Sequence, residues 1–228
     1  MYSDVDIQQA MSDPDKGLSL DPYNEDCLSP VGYDLRVGEE AFSWKSKKIV
    51  NIQQQGKLEI EAGDTVVIKT LEKITLSKSI SGTIHSMVSK SVIQGLSHIS
   101  TTVDPDWKGS LLVTVHNHLD TSTELKFKEE FCTICFYQVK TESVVNLPRE
   151  IDRKDLWKQL DREKILADRK EKQEERDRLG RNAGIATVIA VAGIGLCILF
   201  PERGSAVATL IAAFSPLIYS FFTTGNKK

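Results

Sequence analysis

The stretch TTVDPDWKGSLLVTVHN, residues 101–117, joins a tight turn to a strand and decides the fold class of the chain. Asp104-Pro105 is a common way to begin a turn, and Gly109 follows it closely. After the turn, apolar and polar residues alternate as they do in a strand with one buried face. The stretch therefore predicts a turn that leads into one strand of an antiparallel sheet.

Similar runs of Val, Ile, Thr and aromatic residues lie on both sides of this strand. They recur between residues 49 and 140 with Gly or Asp between them, as KLEIEAG, DTVVIKTLEKITL, SGTIHSMV, GSLLVTVHN, TELKFKEEF and CTICFYQV. Among the residues before the charged segment, only residues 3–12 have a helical pattern, with Ser3 as the expected N-cap. The spacing predicts a mainly β fold, either an antiparallel sandwich or a jelly-roll-like barrel.

Composition divides the 228 residues into four parts. We predict a β domain over residues 1–147, a charged helical stalk over 148–182, a transmembrane hairpin over 183–224 and a tail over 225–228. The stalk alternates acidic and basic residues, which is typical of a solvated helix held by i,i+4 pairs. Its first half also has a partial apolar stripe, so we expect that half to dock on the β domain.

Two apolar runs near the end of the sequence indicate a membrane. Residues 182–200 and 205–224 contain no Asp, Glu, Lys, Arg or His. Each run approaches the roughly 20 residues that a helix needs to cross the hydrocarbon core. Lys and Arg precede the first run and end the chain, which predicts that both termini are cytoplasmic. We therefore expect a two-span membrane protein with the lipid bilayer as a partner, with a buried hairpin in a soluble fold as the alternative.

Charge and cysteine spacing argue against two kinds of partner. A net charge of -3 provides no basic face for a phosphate backbone, so no nucleic-acid partner is predicted. Cys132 and Cys135 have the spacing of half a zinc site, but no second pair accompanies them, and we predict buried thiols. His116 and His118 share one face of a predicted strand without an evident third ligand. No metal site is predicted.

Five segments, taken in order, resemble the dCTP deaminases and the related trimeric dUTPases. They are LSPVGYDLRVG (28–38), EKITLSKSISGTI (72–84), VSKSVIQGL (88–96), TTVDPDWKGSLLVTVHN (101–117) and CTICFYQV (132–139). The segment from Ser89 to Gly95 has the length found in the deaminase branch. The resemblance implies a distorted jelly-roll and a homotrimer with nucleotide pockets between subunits. It implies no certain cofactor, with Mg²⁺ as the one ion that a bound nucleotide triphosphate could bring.

The resemblance also assigns a phosphate-binding segment. Deaminases read Arg-Ser-Ser-Leu-Ala-Arg-x-Gly where this chain has VSKSVIQG, so Ser89 and Gly95 match. Val88 and Ile93 stand in place of the two arginines, and Lys90 in place of the second serine. A lysine supplies a point charge but not the bidentate contacts of an arginine. The expected nucleotide-binding residues are Ser89, Lys90, Gln94, Gly95, Asp104 and Trp107.

The opening stretch holds the residues that decide the chemistry. In the resemblance, Asp104 matches the aspartate that orients the attacking water in dUTPases, and Trp107 matches the aromatic residue that packs on deoxyribose. A plain turn is the alternative for both. Thr114 stands where deaminases have the glutamate that acts as general acid and base, and a threonine hydroxyl does not titrate near neutrality. Asp104 is therefore the one catalytic candidate, and only if the chain is a hydrolase.

Three functions are compatible with these features. The first is a nucleotide-binding pseudoenzyme that senses a nucleotide and couples it to the membrane segment, an architecture similar to membrane effectors of bacterial nucleotide-signalling defence. The second is an active, membrane-tethered hydrolase of the dUTPase or dCTP deaminase type. The third is a trimeric membrane scaffold. The missing proton shuttle favours the first, and the sequence does not name the nucleotide.

Overall fold

The computed structural model describes residues 1–13, 17–142, 144 and 151–199. Residues 1–165 form one compact unit, and the described residues 166–199 belong to a second unit, in which they are helical.

Twelve strands make up the described β domain: β1 (Leu18–Asp21), β2 (Leu28–Ser29), β3 (Gly32–Ser43), β4 (Lys48–Asn51), β5 (Lys57–Ile60), β6 (Thr65–Leu76), β7 (Ile80–Ser86), β8 (Leu96–His98), β9 (Thr102–Val103), β10 (Lys108–Asn117), β11 (Thr123–Lys126) and β12 (Glu130–Gln138). Ten of them form one sheet with the main order β8-β10-β6-β3-β12-β7-β9, while β5 and β11 pair with each other. The sheet curls around the main apolar core, so the predicted mainly β, jelly-roll-like fold is confirmed.

Four α-helices accompany the strands: α1 (Asp4–Met11), α2 (Ile52–Gln55), α3 (Val88–Gln94) and α4 (Lys154–Leu199). The Ser3 side chain accepts from the backbone N–H of Asp6, as expected of the N-cap of α1. The prediction that residues 3–12 are the only helix of the β domain was wrong, because α2 and α3 also form. Both are too short to show a helical period, and each ends at a glycine of positive φ, Gly56 at 77° and Gly95 at 61°.

Helix α4 passes through Gly180 without a break and reaches Leu199, so one helix crosses the predicted boundary at residue 182. One glycine costs about 1 kcal/mol relative to alanine, which a long helix without proline tolerates. Within the described ranges, no helix is long and apolar enough to cross a membrane. The predicted second span and tail fall in residues 200–228, which lie outside the described residues.

The first turns of α4 dock on the β domain, as the apolar stripe predicts. Leu160 is 9% exposed and packs in a small cluster with Phe42 and Val67, and Trp157 contacts the same cluster. The helix therefore covers part of the outer face of β6 and β3. This face lies opposite the main core.

Strand β6 organises the sheet because it has three partners. On one side it pairs with β10. On the other it pairs first with β3, where Val37 lies opposite Thr70, and then with β1, where Asp21 lies opposite Lys73. Glu72 lies between these two registers and is fully buried. The strand thus changes partner at a buried carboxylate.

Arg36 neutralises that carboxylate. Its backbone N–H donates to Glu72 Oε2 at 2.9 Å, and its Nε–H donates to Oε1 at 2.6 Å. The Arg36 side chain is 13% exposed, and its other guanidinium nitrogen donates to the carbonyl of Pro22 at 2.7 Å. Burial raises the pKa of the Glu72 carboxyl above its ordinary value, and the hydrogen bonds from Arg36 oppose this rise. The ion pair therefore links β3 and β6 at the point where their backbone pairing stops.

Removing only one member of this pair should destabilise the domain strongly. Arg36→Met leaves the Glu72 carboxylate buried without its partner, which should lower the free energy of unfolding by about 3 kcal/mol. Urea unfolding of the full chain measures this loss. Arg36→Met combined with Glu72→Met removes both charges and should cost less than the single change. Lys57→Met, which breaks the exposed pair with Glu124, is the control and should have a much smaller effect. An equal loss for the buried and the exposed pair would contradict this account.

Candidate functional site

Helix α3 presents apolar side chains where the resemblance expects arginines. Val88 is 74% exposed and Ile93 is 77% exposed, so both replaced positions face solvent. Ser89 is exposed beside them. The surface of α3 can therefore offer a hydroxyl and methyl groups to a ligand, but no guanidinium from these two positions.

Lys90, the expected phosphate contact, is already paired. Its ammonium group forms a short ion pair with the carboxylate of Glu129, and the two side chains are 13% and 27% exposed. The other carboxylate oxygen of Glu129 accepts from the backbone N–H of Lys126 at 2.6 Å. A phosphate that binds Lys90 must therefore compete with a carboxylate. The sequence contains no signal for this pair, because its members are distant in the chain.

The end of α3 is fixed by Gly95. Its φ of 61° lies in the left-handed region, and a Cβ atom there would collide with Leu119. Just before it, Gln94 Oε1 is shielded from solvent and has no hydrogen-bond partner within the described residues. Gly95 therefore has a structural reason to be glycine, whether or not it contacts a ligand.

Histidines surround this end of the sheet. His98 Nδ1 lies 3.2 Å from Ser86 Oγ, and burial lowers the pKa of the His98 ring below its ordinary value. The rings of His116 and His118 are 4.5 Å apart, as expected of residues that share a face. No group of three or more potential metal ligands occurs in the described part of the chain. Cys132 and Cys135 are buried free thiols, as predicted.

The turn before β10 holds the other predicted ligand contacts. Trp107 is half-buried against the main core, and its Nε1–H donates to the carbonyl of Gly109 at 3.0 Å. Asp104 is half-buried at the start of the turn. Asp106 is exposed, has a φ of 62°, and donates its backbone N–H to the carbonyl of Ser77 at 3.2 Å. The turn is thus held in place at its indole and at its backbone.

Thr114 lies under α4, in a cavity that includes no residue of α3 or of the turn. It lies on the outer face of β10 and lines a cavity of about 360 Å³ under the first turns of α4. The other lining residues are Trp44, Val67, Leu112, Leu156, Gln159, Leu160 and Glu163. The Glu163 carboxylate lies 4.0 Å from the ammonium group of Lys47, which stacks over the Trp44 ring. The position expected to hold the acid and base is therefore covered by the chain's own helix.

The predicted site residues lie on three separate surfaces of one chain. Helix α3 and the Asp104–Trp107 turn lie at opposite ends of β7, which has seven residues, and of β10, which has ten. At about 3.3 Å per residue, roughly 20 to 30 Å of strand separates them. Helix α3 and the turn of one chain are therefore too far apart to contact the same small molecule. Sequence reasoning found these residues but missed Glu129, Gln159 and Glu163, which reach their places only through the tertiary fold.

Comparison with known proteins agrees with the fold. A profile of the family described as dCTP deaminase-like matches residues 1–139. The dCTP deaminase of Pyrococcus horikoshii is 34% identical over 125 residues, which are 55% of this chain and 78% of that protein. The dCTP deaminase of Thermococcus sibiricus is 34% identical over 128 residues, which are 56% of this chain and 80% of that protein.

A solved structure shares the architecture. It is the 2′-deoxycytidine 5′-triphosphate deaminase from Agrobacterium tumefaciens, which superposes with a TM-score of 0.50 at 14% identity. The match covers 59% of this chain and 46% of that one. At this identity the likeness concerns the fold alone.

Stability should depend on pH through His98. Because burial lowers the pKa of His98 in the folded state, the unfolded chain takes up the proton first as the pH falls below about 6.5. The free energy of unfolding should therefore decrease from pH 7 to pH 5. A glutamine at this position takes up no proton. The free energy of unfolding of His98→Gln should therefore decrease less from pH 7 to pH 5, as measured by denaturant titrations of the full chain. An equal or steeper decrease in the variant would show that His98 does not contribute in this way.

Proposed function

Because the chain belongs to the dCTP deaminase-like family, we propose that it binds a pyrimidine deoxynucleotide of the dCTP class without deaminating it, and does so at a membrane. The β domain supports the binding part of this proposal, since it keeps the fold of a nucleotide-binding family. The relatives named above are dCTP deaminases, which makes dCTP the first nucleotide to test.

The observation that carries the loss of deamination is Thr114. Deamination requires a group that delivers and removes protons near neutral pH, and a hydroxyl does not do so. The exposed methyl groups of Val88 and Ile93 support the same conclusion, because they cannot neutralise a triphosphate. Asp104 and Trp107 remain as the residue types that contact a nucleoside. Binding can therefore persist where the chemistry is lost.

The distance between α3 and the turn supports a site built from more than one copy. Side chains at opposite ends of β7 and β10 can meet around one ligand only if α3 comes from one copy and the turn from another. A closed ring of identical subunits brings unlike patches together in this way. We therefore propose a homotrimer whose nucleotide sites lie between subunits. Any Mg²⁺ is proposed to arrive with the triphosphate, since the described residues contain no cluster that could hold a metal.

One observation favours a hydrolytic alternative. The Glu163 carboxylate, from α4, lines the same cavity as Thr114. The enzyme hypothesis then has two candidate carboxylates, Asp104 and Glu163, which lie on separate surfaces of one chain. If the chain is a hydrolase, Asp104→Asn or Glu163→Gln should abolish turnover.

Binding and turnover should be measured on the same full-length protein. With dCTP and with dUTP, each with and without Mg²⁺, we expect thermal stabilisation and no release of ammonia or pyrophosphate. Stabilisation with turnover would establish the enzyme, and the absence of both would establish the scaffold. Either result would overturn the proposal.

The turn offers a matched pair of variants. Asp104→Asn should weaken nucleotide binding about tenfold, which corresponds to about 1.4 kcal/mol, because the carboxylate that faces the sugar is lost. Asp106→Asn changes the same group two residues away, and asparagine tolerates the positive φ of that position. The affinity of Asp106→Asn for the nucleotide should stay within about twofold of that of the unchanged protein. Titration calorimetry distinguishes the two, and equal losses would indicate a general effect of charge.

Membrane attachment is proposed from the two apolar runs, residues 182–200 and 205–224, which carry no Asp, Glu, Lys, Arg or His. The full chain should resist alkaline carbonate extraction from membranes. Ile189→Lys with Leu210→Lys adds about 2.5 to 3.5 kcal/mol of insertion cost at each site, so this variant should be extracted. Ile189→Ala with Leu210→Ala is the control and should stay in the pellet. Extraction of the unchanged chain would contradict the membrane assignment.

A further inference from the structure

A buried polar contact joins the nucleotide-binding turn to the start of α4. Strand β10 pairs with β6 through Ser110, opposite Lys73, and again from Leu112, and the irregular register between them leaves Leu111 without a partner residue. Leu111 donates to Thr70 Oγ1 at 2.9 Å, and Ser110 donates to Asp152 Oδ1 at 2.7 Å. Ser110 is 2% exposed. Without Asp152, its N–H would be buried with no acceptor that the described contacts provide.

The Gly109–Ser110 peptide unit connects two side chains through one rigid plane. Its carbonyl accepts from Trp107 Nε1–H at 3.0 Å, and its N–H donates to Asp152 at 2.7 Å. Because a peptide bond is planar, a rotation that breaks one of these hydrogen bonds also misaligns the other. The indole of the turn and the carboxylate before α4 are therefore coupled through a single group.

Both sides of this contact have unusual backbone conformations. Gly109 has a φ of 116°, and a Cβ atom there would collide with Asp152. Asp152 and the following Arg153 have φ values of 59° and 46°, although neither is glycine. Such conformations cost free energy and persist only while surrounding contacts hold them. Opening the contact would therefore let Asp152 and Arg153 relax.

We propose that Gly109, Ser110 and Asp152 form a latch that holds the first turns of α4 on the β domain, and that movement of Trp107 releases it. The latch acts with the apolar contacts of Trp157 and Leu160, which alone cover only one side of the helix. A ligand that packs on Trp107 and turns its indole would break the hydrogen bond to the Gly109 carbonyl. The Ser110 N–H of the reoriented peptide would then no longer donate to Asp152. Only the identity of this ligand rests on the proposed function.

Hydrogen exchange of the full chain in detergent tests the latch without any ligand. Asp152→Ala should accelerate exchange of the Ser110 amide and of the amides in residues 154–160 at least tenfold. Asp152→Asn keeps an acceptor oxygen and should fall between the alanine variant and the original protein. Asp120→Ala changes an exposed carboxylate in a loop and should have no effect. Unchanged exchange of residues 154–160 in Asp152→Ala would overturn the latch.

A second variant tests the coupling to the turn. Trp107→Phe keeps an aromatic ring but lacks the indole N–H, so it should accelerate exchange of residues 154–160 as Asp152→Ala does. Adding dCTP to the original protein should produce the same acceleration, and adding it to Asp152→Ala should produce no further change.

The failures of the two proposals are distinguishable. If both variants loosen the helix while dCTP does not bind, the latch is correct and the proposed ligand is wrong. If dCTP binds but leaves exchange of residues 154–160 unchanged in the original protein, the coupling of ligand to latch is wrong. If Trp107→Phe leaves this exchange unchanged, the indole does not control the latch.

Discussion

The fold depends on how the segment from Thr70 to Glu72 fills the gap where β6 changes partner. Strand β6 pairs with β3 up to Thr70 and with β1 from Lys73 onwards. Between these two residues, side chains make the hydrogen bonds that a partner strand would otherwise make. Glu72 accepts two hydrogen bonds from Arg36, while Thr70 accepts the N–H that the irregular register of β10 leaves free. Buried backbone groups must be satisfied, so this one short segment sets the register of three strands and the position of the turn before β10.

The same requirement explains why the start of α4 is held on the β domain. A second backbone N–H of β10, that of Ser110, donates to Asp152 from the far end of the described β unit. Asp152 then directs the chain into α4, whose first turns cover the face that bears Thr114. The Gly109–Ser110 peptide unit thus bonds both to the indole of the turn and to the carboxylate that precedes α4. In a single chain, however, α3 lies at the other end of β7 and β10, so we propose that neighbouring copies complete each nucleotide site.

Much of this arrangement could be predicted from residue patterns, and the rest could not for physical reasons. Alternation predicted the strands, Asp104-Pro105 the turn, Ser3 the N-cap of α1, and the apolar stripe the docking of α4. Helix α3 was missed because seven residues do not show a period. The pairing of Lys90 with Glu129 and of Ser110 with Asp152 depends on contacts between distant parts of the chain, which no local pattern encodes. For the same reason, sequence alone did not indicate that Thr114 lies under α4.

The claim that one nucleotide site is shared between copies can be tested directly by mixing two defective subunits. Ser89→Glu places a negative charge on α3, and Asp104→Asn alters the turn, so neither full-length variant alone should bind dCTP well. If each site takes α3 from one copy and the turn from another, co-expressed mixed assemblies should regain about a quarter of the sites, the chance that a random pair joins the two intact halves. Calorimetric binding by the mixture at this level is the result that the account predicts. A mixture that binds no better than its components, while the unchanged protein binds dCTP, would contradict it.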